Sequence, residues 1–305
     1  MDVNYELYKV FYHVAKSLSF SDAAQELFIS QSAVSQSVKV LERRLGQTLF
    51  IRSTKKVALT KEGEILFKHI EPAINLIVKG ESQLLSAKES GGVQLRIAAS
   101  DTICRYYLVP YLNKFHKRYP DVHIKIINAS SQQCASYLDG NHVDLIITNS
   151  PNPALNNVMT ITAIKEFQDV FIADRTAYPF EGCELPLREL STLPILMLEK
   201  NSTTSVFLHE QFLNHSIDLA PAIELSSNDL LIDLASIGLG IAFVPDYCIT
   251  EHTPKNLYAL KIKDKIPTRK LVAAYDSALP LAEPAKFLLE LMQKNSYNSC
   301  VPRKQ

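Results

Sequence analysis

The chain has 305 residues, 47% of them hydrophobic and 21% charged, and its 32 Lys and Arg balance 32 Asp and Glu. That length and composition exclude an intrinsically disordered polymer and allow more than one hydrophobic core. No run of about 18 uncharged apolar residues occurs, which excludes a membrane-spanning helix by composition, and the charged N-terminus lacks the apolar stretch of a signal peptide, so a cytoplasmic protein with no membrane partner is expected.

The five cysteines (Cys104, Cys134, Cys183, Cys248 and Cys300) are scattered, with no Cys-x-x-Cys spacing. They read as free thiols, and neither a disulfide framework nor a zinc site is implied. The neutral total hides an uneven distribution: from Lys39 to Lys61 the chain carries Lys39, Arg43, Arg44, Arg52, Lys55, Lys56 and Lys61 against a lone Glu42. A local basic block in a neutral protein points to a polyanion-binding module joined to something else.

In chain order, Leu7, Val10, Phe11, Val14 and Leu18 recur at helical spacing, which predicts a first amphipathic helix over 5–18. Ser21 is placed to cap a short second helix ending at Leu27, and after a brief turn Ser30 is placed to cap a third. Helix, short turn, helix is the helix-turn-helix arrangement. Two short β-like pieces, 49–51 and 57–59, then flank Arg52-Ser53-Thr54-Lys55-Lys56, a hairpin with a basic tip. From Thr60 to about Lys88 the pattern is helical, and Leu66, Ile70, Ala73, Ile77, Gly80, Leu84 and Ala87 step by four and three. Such a heptad seam needs a partner helix, so a homodimer is expected, with Pro72 bending the helix.

The pattern changes at Gly91-Gly92, a hinge. Branched apolar runs at 93–99, 122–127 and 143–148 alternate with helical stretches at 105–118 and 132–138, and a second series follows: strands at 170–173, 195–198, 222–225 and 241–244, helices at 203–214 and 228–237. A strand at 270–275 and a helix at 282–294 close the chain. This alternation is the mark of βαβ units and a mostly parallel sheet, here in two similar lobes: lobe I over about 91–162 and 268–295, lobe II over about 163–267.

On a helical wheel Val34, Val38, Leu41 and Leu45 share one face of the third helix, and Ser32, Ser35, Gln36, Lys39 and Arg43 share the other. Small donors and acceptors at the first turns with cations farther along suit a helix lying in the major groove of DNA, its N-terminal residues at base edges and Lys39 and Arg43 at phosphates. The stretch "FSDAAQELFISQSAVSQSVKVLERRLGQTLFIRSTKKVALTKEG", Phe20 to Gly63, closely resembles the winged helix-turn-helix of the LysR-type transcriptional regulators. It does so without gaps at Ala23-Ala24, Leu27, Ser30-Gln31, Ala33-Val34-Ser35, Leu41-Glu42, Leu45-Gly46, Leu49-Phe50, Arg52, Leu59-Thr60 and Gly63.

The resemblance implies a DNA-binding domain at 1–60, a linker dimerisation helix at 61–90 and an effector-binding domain at 91–305. The overall class is α/β with an N-terminal all-α winged helix-turn-helix, and the effector domain has two lobes like periplasmic binding proteins. It makes Gln31, Ser32, Ser35 and Gln36 base-facing, and Arg52, Lys55 and Lys56 wing contacts. It implies dimerisation through Leu66, Ile70, Ala73, Ile77 and Leu84, tetramers through the effector domains, and promoter DNA and RNA polymerase as partners. Ser32 stands where the family often has proline and Gln36 where it often has arginine, which changes the bases that the helix can read.

In the effector half the informative places are strand ends, where doubly wound sheets hold ligands and helix N-termini favour anions. Ser100-Asp101-Thr102, Thr148-Asn149-Ser150 and Asn201 to Ser205 occupy equivalent places. The resemblance singles out Ser100, Thr102, Asn149, Ser202 and Thr203 as effector contacts, with Asn128 beside them; hydroxyls, amides and helix N-termini converging between lobes suit a small carboxylate or inorganic oxyanion as effector, and no cofactor is expected. "IGLGIAFVP" (237–245) fits a helix-to-strand corner in which Gly238 and Gly240 permit close packing. The opening of this half looks most like the branch that includes regulators of sulfur assimilation and carbon fixation. Cys104 and Cys134 fall near the expected cleft and read as small buried thiols. The competing readings are an enzyme or a solute-binding protein built on the α/β half. The first would need convergent acid, base or nucleophile groups, yet no P-loop, nucleophile elbow or metal-spaced histidines occur; the second would need a signal peptide and no basic winged helix.

Overall fold

A computed structural model describes residues 4–52, 57–90 and 93–298. The chain divides into two compact units, Met1–Leu85 and Ser86–Gln305.

The first unit opens with α1 (Tyr5–Ser17), α2 (Phe20–Glu26) and α3 (Gln31–Leu45). Each begins at a side-chain cap: Asn4 accepts from Glu6 N, Ser19 from Asp22 N and Ser30 from Ala33 N. Ser19 rather than the expected Ser21 caps α2, because the helix starts two residues earlier and buries Phe20. Phe11, Val14, Ala23, Val34, Val38 and Leu41 are all fully buried in one core, and Phe50 joins it with its ring 5.4 Å from that of Phe11 and 5.6 Å from that of Phe20. Strand β1 (Phe50–Arg52) pairs antiparallel with β2 (Val57–Leu59), with Arg52 opposite Val57. The expected tip, including Lys55 and Lys56, lies outside the described residues.

Glu42 is not a stray acid in a basic block. Its Oε1 accepts from Leu49 N at 2.9 Å and Phe50 N at 3.3 Å, tying α3 to the wing. Helix α4 (Lys61–Ser90) starts at Thr60, whose Oγ1 accepts from Gly63 N and donates to Thr48 O at 2.7 Å. Gly63 is required here: a Cβ on it would stand 2.2 Å from Leu49 O. The helix continues through Pro72. Leu66 and Ile70, expected on a dimer seam, are half-buried and pack against the core of their own unit together with Phe67. Ala73 and Ile77 are exposed, beside the exposed Ile65, Leu76 and Val78. The side chain of Leu84 lies outside the described residues.

The second unit has two lobes. In the first, β3 (Gln94–Ala99) leads through α5 (Asp101–Ile103) and a π-helical turn (Cys104–Leu108) into α6 (Val109–Arg118), then β4 (His123–Asn128), α7 (Ser131–Asp139), β5 (Leu145–Ser150) and β6 (Met159–Phe167). The second contains β7 (Asp169–Asp174), β8 (Glu184–Leu185), α8 (Leu187–Leu190), β9 (Ile195–Leu198), α9 (Thr203–Leu213), β10 (Ile223–Leu225), α10 (Asn228–Ser236), β11 (Ile241–Pro245), a 3-10 turn (Asp246–Cys248), β12 (Leu257–Ala259) and β13 (Lys261–Ile262). The chain then returns to the first lobe with β14 (Arg269–Asp276) and α11 (Glu283–Asn298).

The two five-stranded sheets run β4-β3-β5-β14-β6 and β10-β9-β11-β7-β12, each parallel over its first three strands and antiparallel over the rest. The expected lobe boundary at 162/163 falls inside β6, which pairs with β14 as far as Phe167 opposite Arg269. The chain therefore crosses at Gln168 on the way out and just before Arg269 on the way back. At the corner before β11, a Cβ on Gly240 would meet Pro194 O at 2.5 Å, so the "IGLGIAFVP" glycine is there for packing.

Candidate nucleic-acid interface and effector cleft

Helix α3 sorts its side chains by chemistry. Val34, Val38 and Leu41 are fully buried, whereas Gln31, Ser32, Gln36, Lys39 and Arg43 are exposed and Ser35 is half-buried. The exposed set contains amides and hydroxyls at the first turns and cations two turns later, a gradient from base-reading groups to phosphate-reading groups. At the helix start Ser30 Oγ and Ser32 Oγ stand 2.9 Å apart, and Ser30 already accepts from Ala33 N at 3.2 Å. Arg52 ends β1 at the foot of the wing. The turn before α3 is tight: Phe28 takes a φ of 55° and is 95% exposed.

In the second unit, a cleft of about 450 Å³ opens between the lobes, and Ser100, Thr102, Asn128, Asn149, Ser202 and Thr203 all line it. The sequence separates these residues by as much as a hundred positions, and parallel strands bring them together because each strand ends at the same edge. Ser100 Oγ accepts from Ile103 N at 3.4 Å and Ser202 Oγ from Ser205 N at 3.0 Å, so both are helix caps whose hydroxyl hydrogens remain for other acceptors. Two further caps complete the rim. Ser130 closes a reciprocal capping box with Gln133, and Ser227 caps α10. Each helix N-terminus carries roughly half a positive charge.

Two side-chain bonds bridge the lobes across the cleft: Asn228 Nδ2 donates to Thr102 Oγ1 at 2.9 Å, and Asn149 Nδ2 to Thr203 Oγ1 at 3.5 Å. A third joins Tyr106, on the π-helical turn, to Asp229, with Arg105 Nε 3.6 Å from the same carboxylate. Burial, helped by the bond to Asp229, raises the Tyr106 pKa, so its phenol stays protonated and donates.

Beneath the cleft floor Arg269 is fully buried. Its Nη1 bonds Asp169 Oδ2 at 3.0 Å and Thr204 Oγ1 at 3.1 Å, its Nη2 reaches Thr203 Oγ1 at 3.3 Å, and its guanidinium lies against Phe207 and Phe167. Burial raises the Asp169 pKa against the opposing pull of Arg269.

Sequence reasoning missed several of these residues. Ser130 and Ser227 carried a readable signal, a Ser three residues before Gln or at the head of an apolar helical run, in the same topological place as the caps that were found. Asn228, one residue past that cap, could have been added with it. Arg269 and Asp169 carried none. Cys134 is fully buried, as expected, whereas Cys104 is half-buried; burial pushes the two thiols up to about 12 and about 11. Among the described residues no group of three or more His, Cys, Asp or Glu side chains could hold a metal.

Comparison with known proteins gives the same division. Residues 5–64 match the family described as bacterial regulatory helix-turn-helix protein, lysR family, and residues 88–296 match the LysR substrate binding domain. The HTH-type transcriptional activator CmpR of Synechocystis is 28% identical over 79% of this chain and 79% of its own. The HTH-type transcriptional regulator CbbR of Rhodospirillum rubrum is 28% identical over 77% of each. Among solved structures, the CcmR regulatory domain of Synechocystis in complex with 2-PG superposes with a TM-score of 0.62 at 22% identity, covering 68% of this chain and 99% of that one.

Proposed function

This chain belongs to the LysR family of DNA-binding transcriptional regulators, and from that premise we propose how its parts divide the work. Residues 1–60 read promoter DNA, the helix at 61–90 joins two copies, and residues 91–305 sense a small anion whose binding changes how the dimer holds and bends DNA. Its curated relatives are transcriptional regulators, not enzymes. The observation that carries the reading is the clean split of α3, with Val34, Val38 and Leu41 at 0% exposure and Gln31, Ser32, Gln36, Lys39 and Arg43 open to solvent.

In this reading Gln31, Ser32, Ser35 and Gln36 meet base edges in the major groove, and Lys39, Arg43, Arg52, Lys55 and Lys56 meet phosphates or the minor groove. Exposed Ala73 and Ile77, with Ile65, Leu76 and Val78 around them, give a second α4 its apolar face. Leu84 extends that seam. Dimers join into tetramers through their effector domains, and RNA polymerase is the downstream partner. The cytoplasm is where such a protein meets its DNA; among the described residues no helix is long and apolar enough to cross a membrane.

Ser100, Thr102, Asn128, Asn149, Ser202 and Thr203 hold the effector, a carboxylate or oxyanion. Supporting this are the serine-capped helix N-termini on the cleft and the 2-PG held by the CcmR regulatory domain. A ligand that favours one arrangement of the lobes shifts the population of subunit arrangements by its difference in affinity for them.

The test is selection of duplexes from a random pool by the full chain, followed by a salt titration of the selected site. Logarithmic affinity falling linearly with logarithmic salt, at roughly 0.9 per phosphate contacted, is expected. A slope near zero, or no sequence enriched, would overturn the reading.

A further inference from the structure

The chemistry of the cleft narrows the effector class further, on the reading that the cleft is the effector site. None of its lining residues is Lys, Arg or His, and two, Asp101 and Glu199, are carboxylates. Arg269, which bonds two of the lining threonines from beneath, is 1% exposed and already engaged by Asp169, Thr203 and Thr204. The positive field of the cleft therefore comes from the starts of α7, α9 and α10, behind the caps Ser130, Ser202 and Ser227. Those groups offer backbone N–H and hydroxyl hydrogens to one carboxylate.

The acceptors are what distinguish this cleft. Asn149 is 8% exposed and Asn228 4%, both line the cleft, and the Oδ1 of each is buried without a hydrogen-bond partner. Asp101 accepts only a long bond, 3.4 Å, from Asn128 Nδ2. A buried acceptor left unmade is costly and invites a donor from whatever enters. A fully ionised oxyanion such as sulfate can meet the helix N-termini but has no hydrogen to give to these acceptors. A molecule with a carboxylate at one end and hydroxyl or ammonium hydrogens beside it satisfies both sets at once.

We propose that the cleft selects a small hydroxy- or amino-carboxylate, whose acid group meets the helix N-termini and whose O–H or N–H hydrogens meet Asn149, Asn228, Asp101 and Glu199. A site of about 450 Å³ holds such a molecule with room for a short polyhydroxy chain.

The experiment is calorimetric and thermal-shift titration of the full chain with matched probes: propanoate, glycerate and serine; hexanoate and gluconate; and sulfate. Expected is at least tenfold tighter binding of the donor-bearing member of a set than of its bare carboxylate, with glycerate and gluconate against serine separating hydroxyl from ammonium recognition. The Asp101→Asn, Glu199→Gln double variant is expected to shrink that ratio and to bind sulfate more tightly than the unaltered chain does. Sulfate, propanoate or hexanoate binding as tightly as the donor-bearing probes would overturn the inference and leave the anion-sensing reading standing. Silence across the whole panel would overturn the inference and the anion-sensing reading with it. Selection of a specific duplex by the same preparation reports separately on DNA recognition.

Discussion

Arg269 Nη1 lies 3.0 Å from Asp169 Oδ2 with neither side chain reaching solvent, and the two residues stand on the two strands by which the chain passes between its lobes. Removing one member leaves a buried charge alone. Arg269→Met is expected to destabilise the effector unit by about 3–5 kcal/mol, and Arg269→Met with Asp169→Leu to recover most of the loss, because two apolar groups need no partners. Urea unfolding of the full chain checks this. A single variant as stable as the parent would show that the pair does not hold the crossing together.

Base reading and phosphate binding separate by mutation. Gln31→Ala and Ser35→Ala are expected to cost about 1–3 kcal/mol on the selected duplex and little on random DNA, relaxing sequence choice. Lys55→Ala is expected to weaken both alike and to reduce the salt slope by about 1. Competition binding against random duplex measures the split; equal losses on both DNAs for all three variants would reject it.

The cap of α3 separates folding from recognition. Ser30 Oγ accepts from Ala33 N, so Ser30→Ala is expected to cost about 1 kcal/mol of stability. Ser30→Asp restores an acceptor and suits the helix dipole, yet places a negative charge at the end of α3 proposed to meet DNA. Expected is a parental melting temperature with DNA affinity well below the parent; full affinity in the Asp variant would move the start of α3 away from the phosphates.

Thiol chemistry follows burial. With the Cys104 thiol pushed up to about 11 and that of Cys134 to about 12, only about one part in a thousand and one in ten thousand is thiolate at pH 8. Because the thiolate is the reacting form, alkylation of either should rise about tenfold per pH unit below those values. Exposed Cys183 is expected to be modified before them when native protein is followed by peptide mass spectrometry. Cys104 reacting first would point to a redox role.

Much of the site was legible because strand ends and serine caps are local signals. Ser100, Ser202 and Thr203 announce themselves by a short hydroxyl ahead of a helical run, and parallel topology does the gathering. The crossing at Gln168 was not legible. Strand β6 is an edge strand whose Thr160, Thr162, Lys165 and Glu166 break the apolar run that marks a buried one. The Arg269–Asp169 pair joins positions 100 residues apart and has no sequence signature. Heptad spacing located the stripe on α4, but the same periodicity serves a partner helix or the helix's own domain. Leu66 and Ile70 show the ambiguity, since both touch the core of their own unit and both keep part of their surface open.

The close approach at Gly63 has a mechanical result. With the α4 backbone against the Leu49 carbonyl and Thr60 clasping Thr48, the first turn of the shaft is fastened to the foot of the wing. Any side chain larger than a hydrogen at position 63 would force the two apart.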